Sequence, residues 1–209
     1  FRLLVEAGAL QRARRRELAL LGAVVGGVTA FATHFAAMQG YNAGGEVRYG
    51  VALTLISFVF GVSGVALGAV IVLIKPGRLH RALGGMVGLS GVGAMHFVGI
   101  AALELPGRAI SLSPALALTA IAGGLAIALF TGAVIHGKGA LRFLATSLAS
   151  ALSIIFLHYV GMSAMIVTPA VTGAPALGPS LSGSTMLVVL TGLAMAIVAV
   201  AGAGAWMGY

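Results

Sequence analysis

Residues 18–40 carry no charged side chain, and five more stretches, about 50–74, 82–103, 113–135, 141–166 and 185–207, contain between them only Arg142. Each is long enough to cross a bilayer, for which about 20 apolar residues suffice. A chain segment in hydrocarbon must satisfy every peptide group internally, so stretches of this kind can only be helices. The composition agrees: 60% hydrophobic against 8% charged residues and a mean hydropathy of +1.11 exclude a water-soluble domain. The expected fold class is an all-α integral membrane protein of six transmembrane helices.

The charges fall between these stretches and set an orientation. Arg2, Arg12, Arg14, Arg15, Arg16, Lys75, Arg78, Arg81, Lys138 and Arg142 lie on the side of the N-terminus, and only Arg48 and Arg108 on the other. By the positive-inside rule both termini are cytoplasmic, and the chain belongs in a bacterial inner membrane as a multi-pass protein. The net charge of +8 thus reflects topology and does not call for nucleic acid as a partner; lipid is the partner it requires. Residues 1–17 read as a basic cytoplasmic or interfacial segment on an anionic membrane surface. Trp206 and Tyr209 read as aromatic anchors at the headgroups. The sequence starts at Phe1 rather than Met, which reads as a fragment or a processed product.

Several chemistries are closed to this chain. It has no Cys, and its four acids are all Glu, so thiolate metal sites, Fe–S clusters, disulfides and thiol nucleophiles are absent, and hard-cation sites have little to draw on. No nucleophile and base stand at readable spacing, so no enzymatic activity is expected of the chain itself. Any metal chemistry has to rest on His, Met and backbone.

The histidines inside the apolar stretches occur at 34, 96 and 158, a constant spacing of 62 residues. A fixed period over the whole chain implies a repeated supersecondary unit. Three tandem two-helix repeats, about 18–75, 80–137 and 141–207, share one orientation and are related by a pseudo-threefold axis along the membrane normal. His34, His96 and His158 then sit toward the outer ends of the odd-numbered helices at similar depth. An ionisable side chain inside a membrane points to function by default, against the alternative that each imidazole only bonds to a neighbouring helix. His80 and His136, beside Arg81 and Lys138, read as solvated cytoplasmic residues.

Ligand chemistry narrows the site. Residues four apart share a helix face, so His34 with Met38 and His158 with Met162 can address one ion, with Met165 a further turn along and Met95 adjacent to His96. Imidazole with thioether suits copper, because soft sulfur selects Cu(I) while imidazole supports Cu(I) and Cu(II). Zinc is disfavoured without Cys or a carboxylate.

The segments Thr33-His34-Phe35-Ala36-Ala37-Met38, Met95-His96-Phe97-Val98-Gly99 and His158-Tyr159-Val160-Gly161-Met162 resemble the repeated Met-His-aromatic motif of the MHYT domain, a bacterial integral-membrane sensor module. The likeness extends over about 18–207. Ile100 stands where the family has Met, Leu157 replaces the leading Met of the third copy, and the first copy lacks both the leading Met and the Gly. The resemblance implies copper binding near the outer face and sensing of a diatomic gas such as oxygen, carbon monoxide or nitric oxide. It also implies a cytoplasmic output domain or partner, for which a cytoplasmic C-terminus would leave room after Tyr209. The expected metal ligands are drawn from His34, Met38, Met95, His96, His158, Met162 and Met165. Three other readings stand beside this one: a b-type haem protein with two of the histidines as axial ligands, a copper transport or delivery protein, and a subunit of a larger membrane complex.

Overall fold

A computed structural model of the chain describes residues 2–41, 46–75, 77–134, 140–170 and 178–207. His136, Lys138 and Tyr209 lie outside the described residues, as do the side chains of Arg2, Arg12, Arg15 and Trp206. The helices are α1 (Arg2–Gln39), α2 (Val51–Ile74), α3 (Arg78–Ala101), α4 (Pro114–Val134), α5 (Ala140–Ser163) and α6 (Gly183–Met207). All six are long and apolar enough to span a membrane. The basic N-terminal stretch is continuous with the first span in one 38-residue helix.

The helix boundaries follow local chemistry. α2 ends at Lys75, which adopts φ −145° and ψ 109°, as expected of a residue that precedes proline and is pushed out of the helical region. α4 opens on Pro114, where the missing N–H costs nothing. Between α3 and α4, Pro106 and Gly107 form a turn in which Gly107 takes φ +74° and the Arg108 N–H donates to the Leu105 carbonyl at 3.0 Å. Pro then Gly at the two central positions is the signature of a type II turn.

The connections at one end are not simple loops. β1 (Arg48–Gly50) lies between β2 (Leu103–Glu104) and β5 (Ser180–Ser182), and β3 (Arg108–Leu112) pairs with β4 (Met165–Pro169), all antiparallel. The expectation of an all-α chain is corrected to this extent. The fifth span is also shorter than its apolar run: α5 stops at Ser163, and Met165 faces Leu112 across the β3–β4 ladder. The run Ile166-Val167-Thr168 is β-branched and favours a strand once a partner is at hand. Backbone bonds tie helix starts to the ends of other helices: Gly50 N–H to Ala102 carbonyl at 2.7 Å, and Ser113 N–H to Ala164 carbonyl at 2.8 Å.

α3 is the central helix. It packs most extensively on α2, and also on α1, α4 and α5, while α6 lies along α1. The α2–α3 contact is a backbone contact: a Cβ at Gly64 would come closer than 3.0 Å to Gly91, and one at Gly91 would meet Gly64 and the Phe60 carbonyl. In lipid, where apolar surface gives no drive to associate, close approach through small residues is what holds helices together. No flexible side chain lies there to yield, so Gly64→Val should cost at least the about 1–3 kcal/mol typical of overpacking, read as a lower thermal unfolding midpoint of the purified protein in detergent. The apolar core is gathered toward the strand end, with Phe31, Phe35, Met38, Tyr49, Met95, Leu157 and Met186 buried. The Phe35 and Tyr49 rings meet edge to face at 5.6 Å between centroids.

Candidate metal centre

Each of the three intramembrane histidines stands five residues before its helix ends: His34 before Gln39, His96 before Ala101, His158 before Ser163. At a rise of about 1.5 Å per residue this puts all three roughly one and a half turns from the strand layer. Because α3 contacts both α1 and α5, the three imidazoles meet. The Nδ1 atoms of His96 and His34 are 3.1 Å apart, and those of His34 and His158 are 3.2 Å apart. The rings stand nearly perpendicular to one another, with centroids separated by 4.8 Å for His34–His96 and 5.2 Å for each of the other two pairs. The sequence expectation that these histidines converge holds in the geometry.

The hydrogen-bond chemistry of the cluster is incomplete by itself. A neutral imidazole nitrogen is either a donor or an acceptor, so His34 Nδ1, facing two other Nδ1 atoms, is properly paired with one of them at most. The Nε2 atoms of His34 and His96 are buried without a hydrogen-bond partner. Leaving such groups unmet in a buried site carries a penalty, and a cation shared by the three Nδ1 lone pairs would remove the conflict at the centre. The spacing suits one: imidazole nitrogens bound at about 2.0–2.1 Å in a tetrahedral array lie about 3.3 Å from each other. The three residues form the one His, Asp and Glu cluster of metal-holding spacing among the described residues.

Two glycines make the approach possible. A Cβ at Gly99 would lie against the His34 ring, and one at Gly161 would fall on His96 Nε2, both closer than side chains tolerate. Gly99 is three residues after His96, and Gly161 three after His158. The imidazole of one helix therefore seats on the glycine that follows the next histidine. The sequence places these glycines only as members of the repeated motif; the His-x-x-Gly spacing is the signal that marks them as part of the site.

The methionines separate. Met95 lines the cavity of about 170 Å³ that holds the three histidines, together with Val92, Ile154 and Tyr159, and its carbonyl accepts the Ser57 hydroxyl at 2.7 Å. Met38 lines a different cavity beneath the strands, with Gln39, Tyr49 and Ser182. Met162 and Met165 are partly buried against the core, and neither is among the residues around the histidine cavity. His80, near the start of α3, is at the opposite end of that helix from His96.

A family model described as the bacterial signalling protein N-terminal repeat, MHYT, matches residues 27–85 and 90–149, together more than half of the chain. The chain belongs to the MHYT family. The two matches contain His34 and His96. An uncharacterised signalling protein of Caulobacter vibrioides is 27% identical over 153 residues, which is 72% of this chain and 18% of that protein. The MHYT chain thus spans about a fifth of the length of that relative. No solved structure matches. It is a multi-pass membrane protein of a signalling family with three histidines placed to hold a metal ion.

Proposed function

We propose that this MHYT domain is a copper-dependent sensor of a diatomic gas, such as oxygen, carbon monoxide or nitric oxide, in the bacterial inner membrane, with His34, His96 and His158 holding the ion. The convergence of three Nδ1 atoms, of which His34 Nδ1 can pair with one neighbour at most, carries this reading. Met95, which lines the same cavity, is proposed as a thioether donor. Met38, Met162 and Met165 stand outside the histidine cavity and are proposed as soft thioethers that would reach a copper ion only once the helix ends shift around it. A copper ion held there would supply an open coordination position for the gas.

The domain itself is proposed to run over about 18–209, following the basic segment 1–17, as three two-helix repeats about a pseudo-threefold axis, with both termini cytoplasmic. The equal placement of the three histidines, the recurrence of the His–Gly seat and the matched backbone ties Gly50–Ala102 and Ser113–Ala164 all support the third repeat. The surplus of basic residues at the end remote from the strands supports the orientation. α5 and α6 are the least enclosed of the six helices, and a second cavity of about 410 Å³ that shares Val92 and Ile154 with the histidine cavity extends between α2, α3, α4 and α5 as far as Arg81. That looseness leaves α5 room to shift when the site is filled and to pass the change to a cytoplasmic output domain or partner.

A bare ion is favoured over haem. The histidine cavity is smaller than the about 300–1,000 Å³ of ordinary cofactor pockets, and imidazoles in mutual contact leave no space for a porphyrin between them. Metal analysis of protein purified after copper-replete expression should find copper bound, and the absorption spectrum should lack a Soret band. Copper-free protein, or an intense Soret band, would overturn the proposal. Uptake of copper into vesicles would instead point to transport.

A further inference from the structure

The seating of the histidines does not close on itself. His34 rests on Gly99 and His96 on Gly161; continuing the rule, His158 would rest on the residue three after His34, which is Ala37. Two of the three junctions have room for a ring against bare backbone, and the third has a methyl group in its place. His158 is correspondingly the least buried of the three histidines, half-buried where His34 and His96 are 5% and 1% exposed.

The same junction is open on the outside. α6 packs along α1, and among the described residues it has no comparable packing with α5. The histidine cavity has its floor on α3, where Val92, Met95 and His96 are buried, and its rim on α1 and α5, where Thr33, Ala37, Ile155 and Tyr159 are exposed. Ile155 is 51% and Tyr159 64% exposed, and both stand on a membrane-spanning helix, so what lies before this rim is lipid. The lining is chiefly aliphatic, with the imidazoles at its inner end.

We propose that the α1–α5 junction marked by Ala37 is a lateral entrance through which small uncharged molecules dissolved in the hydrocarbon of the bilayer reach the histidine cluster, without passing the outer strand layer. It rests on the sensor reading only for its biological use, because the passage belongs to the helices and is present without metal. Thr33, Ala37, Ile155 and Tyr159 are positioning residues of the entrance and set which molecules pass by size. A diatomic gas fits such a route, since it needs no hydrogen bonds on the way. A hydrated ion does not, because beyond the Thr33 and Tyr159 hydroxyls the rim offers nothing to replace its water.

Molecular oxygen is the probe. Metal-free protein in lipid bicelles, labelled with 13C at the methionine methyls, is placed under oxygen pressure, and the paramagnetic relaxation of each methyl is read. Met95 and Met186 are equally buried, at 1% and 0% exposure, but only Met95 lines this cavity. The expected result is a clearly larger oxygen effect at Met95 than at Met186. Ile155→Trp or Thr33→Phe, each at a lipid-facing position that tolerates bulk, should bring Met95 down to the level of Met186, and Leu67→Trp on the lipid-facing side of α2 should leave it unchanged. Equal effects at Met95 and Met186 in the parent, or an effect at Met95 that survives both rim substitutions, would overturn the entrance. Failure of the protein to take up copper would refute the sensor reading and leave this result standing.

Discussion

His96→Ala is expected to abolish detectable metal binding. Loss of a residue that merely orients a metal ligand typically costs about 10–100-fold in affinity, so removal of one of three imidazoles should cost more than about 100-fold. Copper retained by the purified variant, and titration of a copper(I) chelator complex against it, measure this directly. Stability without metal should respond far less. The imidazole is 1% exposed with an unpaired Nε2, so its truncation removes an unmet polar atom along with some packing, unlike the about 2–5 kcal/mol lost when a buried leucine or methionine becomes alanine. His80→Ala, at the far end of the same helix, should bind metal as the parent does. A variant at 96 that keeps full metal content would refute the assignment of the cluster as the site.

Gly161→Ala is the second large effect, although it adds only one carbon. The new methyl would fall on His96 Nε2, and the ring must turn away from the His34 Nδ1 atom it faces. The strain should lower stability by about 1–3 kcal/mol and metal affinity by about 10–100-fold, the range for disturbed ligand orientation. Gly99→Ala should act in the same way on His34, with the Phe35 ring also in the way. Ala37→Gly, at the equivalent position of the first copy, should leave metal affinity near that of the parent. Thermal unfolding with and without copper, compared across the three variants, separates the packing cost from the ligand cost. Metal affinity unchanged in both glycine variants would show that the imidazoles do not need these seats.

All of these sites also predict a common response to acid. Each imidazole must be neutral to hold a metal ion, so metal affinity falls as protons compete for the nitrogens. Copper retained after dialysis should decrease on acidification, and it should return on neutralisation.

The membrane class, the number of helices and the three histidines could be read directly, because each depends on a signal that is local or strictly periodic. Uncharged runs of membrane-spanning length admit only helices, and a spacing of 62 residues recurs whatever the packing between copies. Met165 was misplaced because an apolar run looks the same whether it continues a helix or enters a strand. The partner strand Arg108–Leu112, more than 50 residues away, decides between them. Met38 and Met162 share a helix face with His34 and His158 by spacing, yet a position four residues on lies about 6 Å further along the axis, and at Met38 that is enough to put the side chain into another cavity.

The sequence by itself determined that this chain lives in lipid, that it repeats, and that its metal chemistry has to rest on imidazole, thioether and backbone. Those conclusions concern solvation and residue chemistry, which need no partner to be true. Only the tertiary structure decided which atoms meet: that Nδ1 faces Nδ1, that Met95 alone of the expected thioethers joins the histidine cavity, that Gly99 and Gly161 seat the rings, and that Ala37 leaves one junction open. Contact between helices depends on their relative rotation and depth, and these are set by close approaches such as Gly64 on Gly91 between residues far apart in the chain. A pattern along one helix does not contain them.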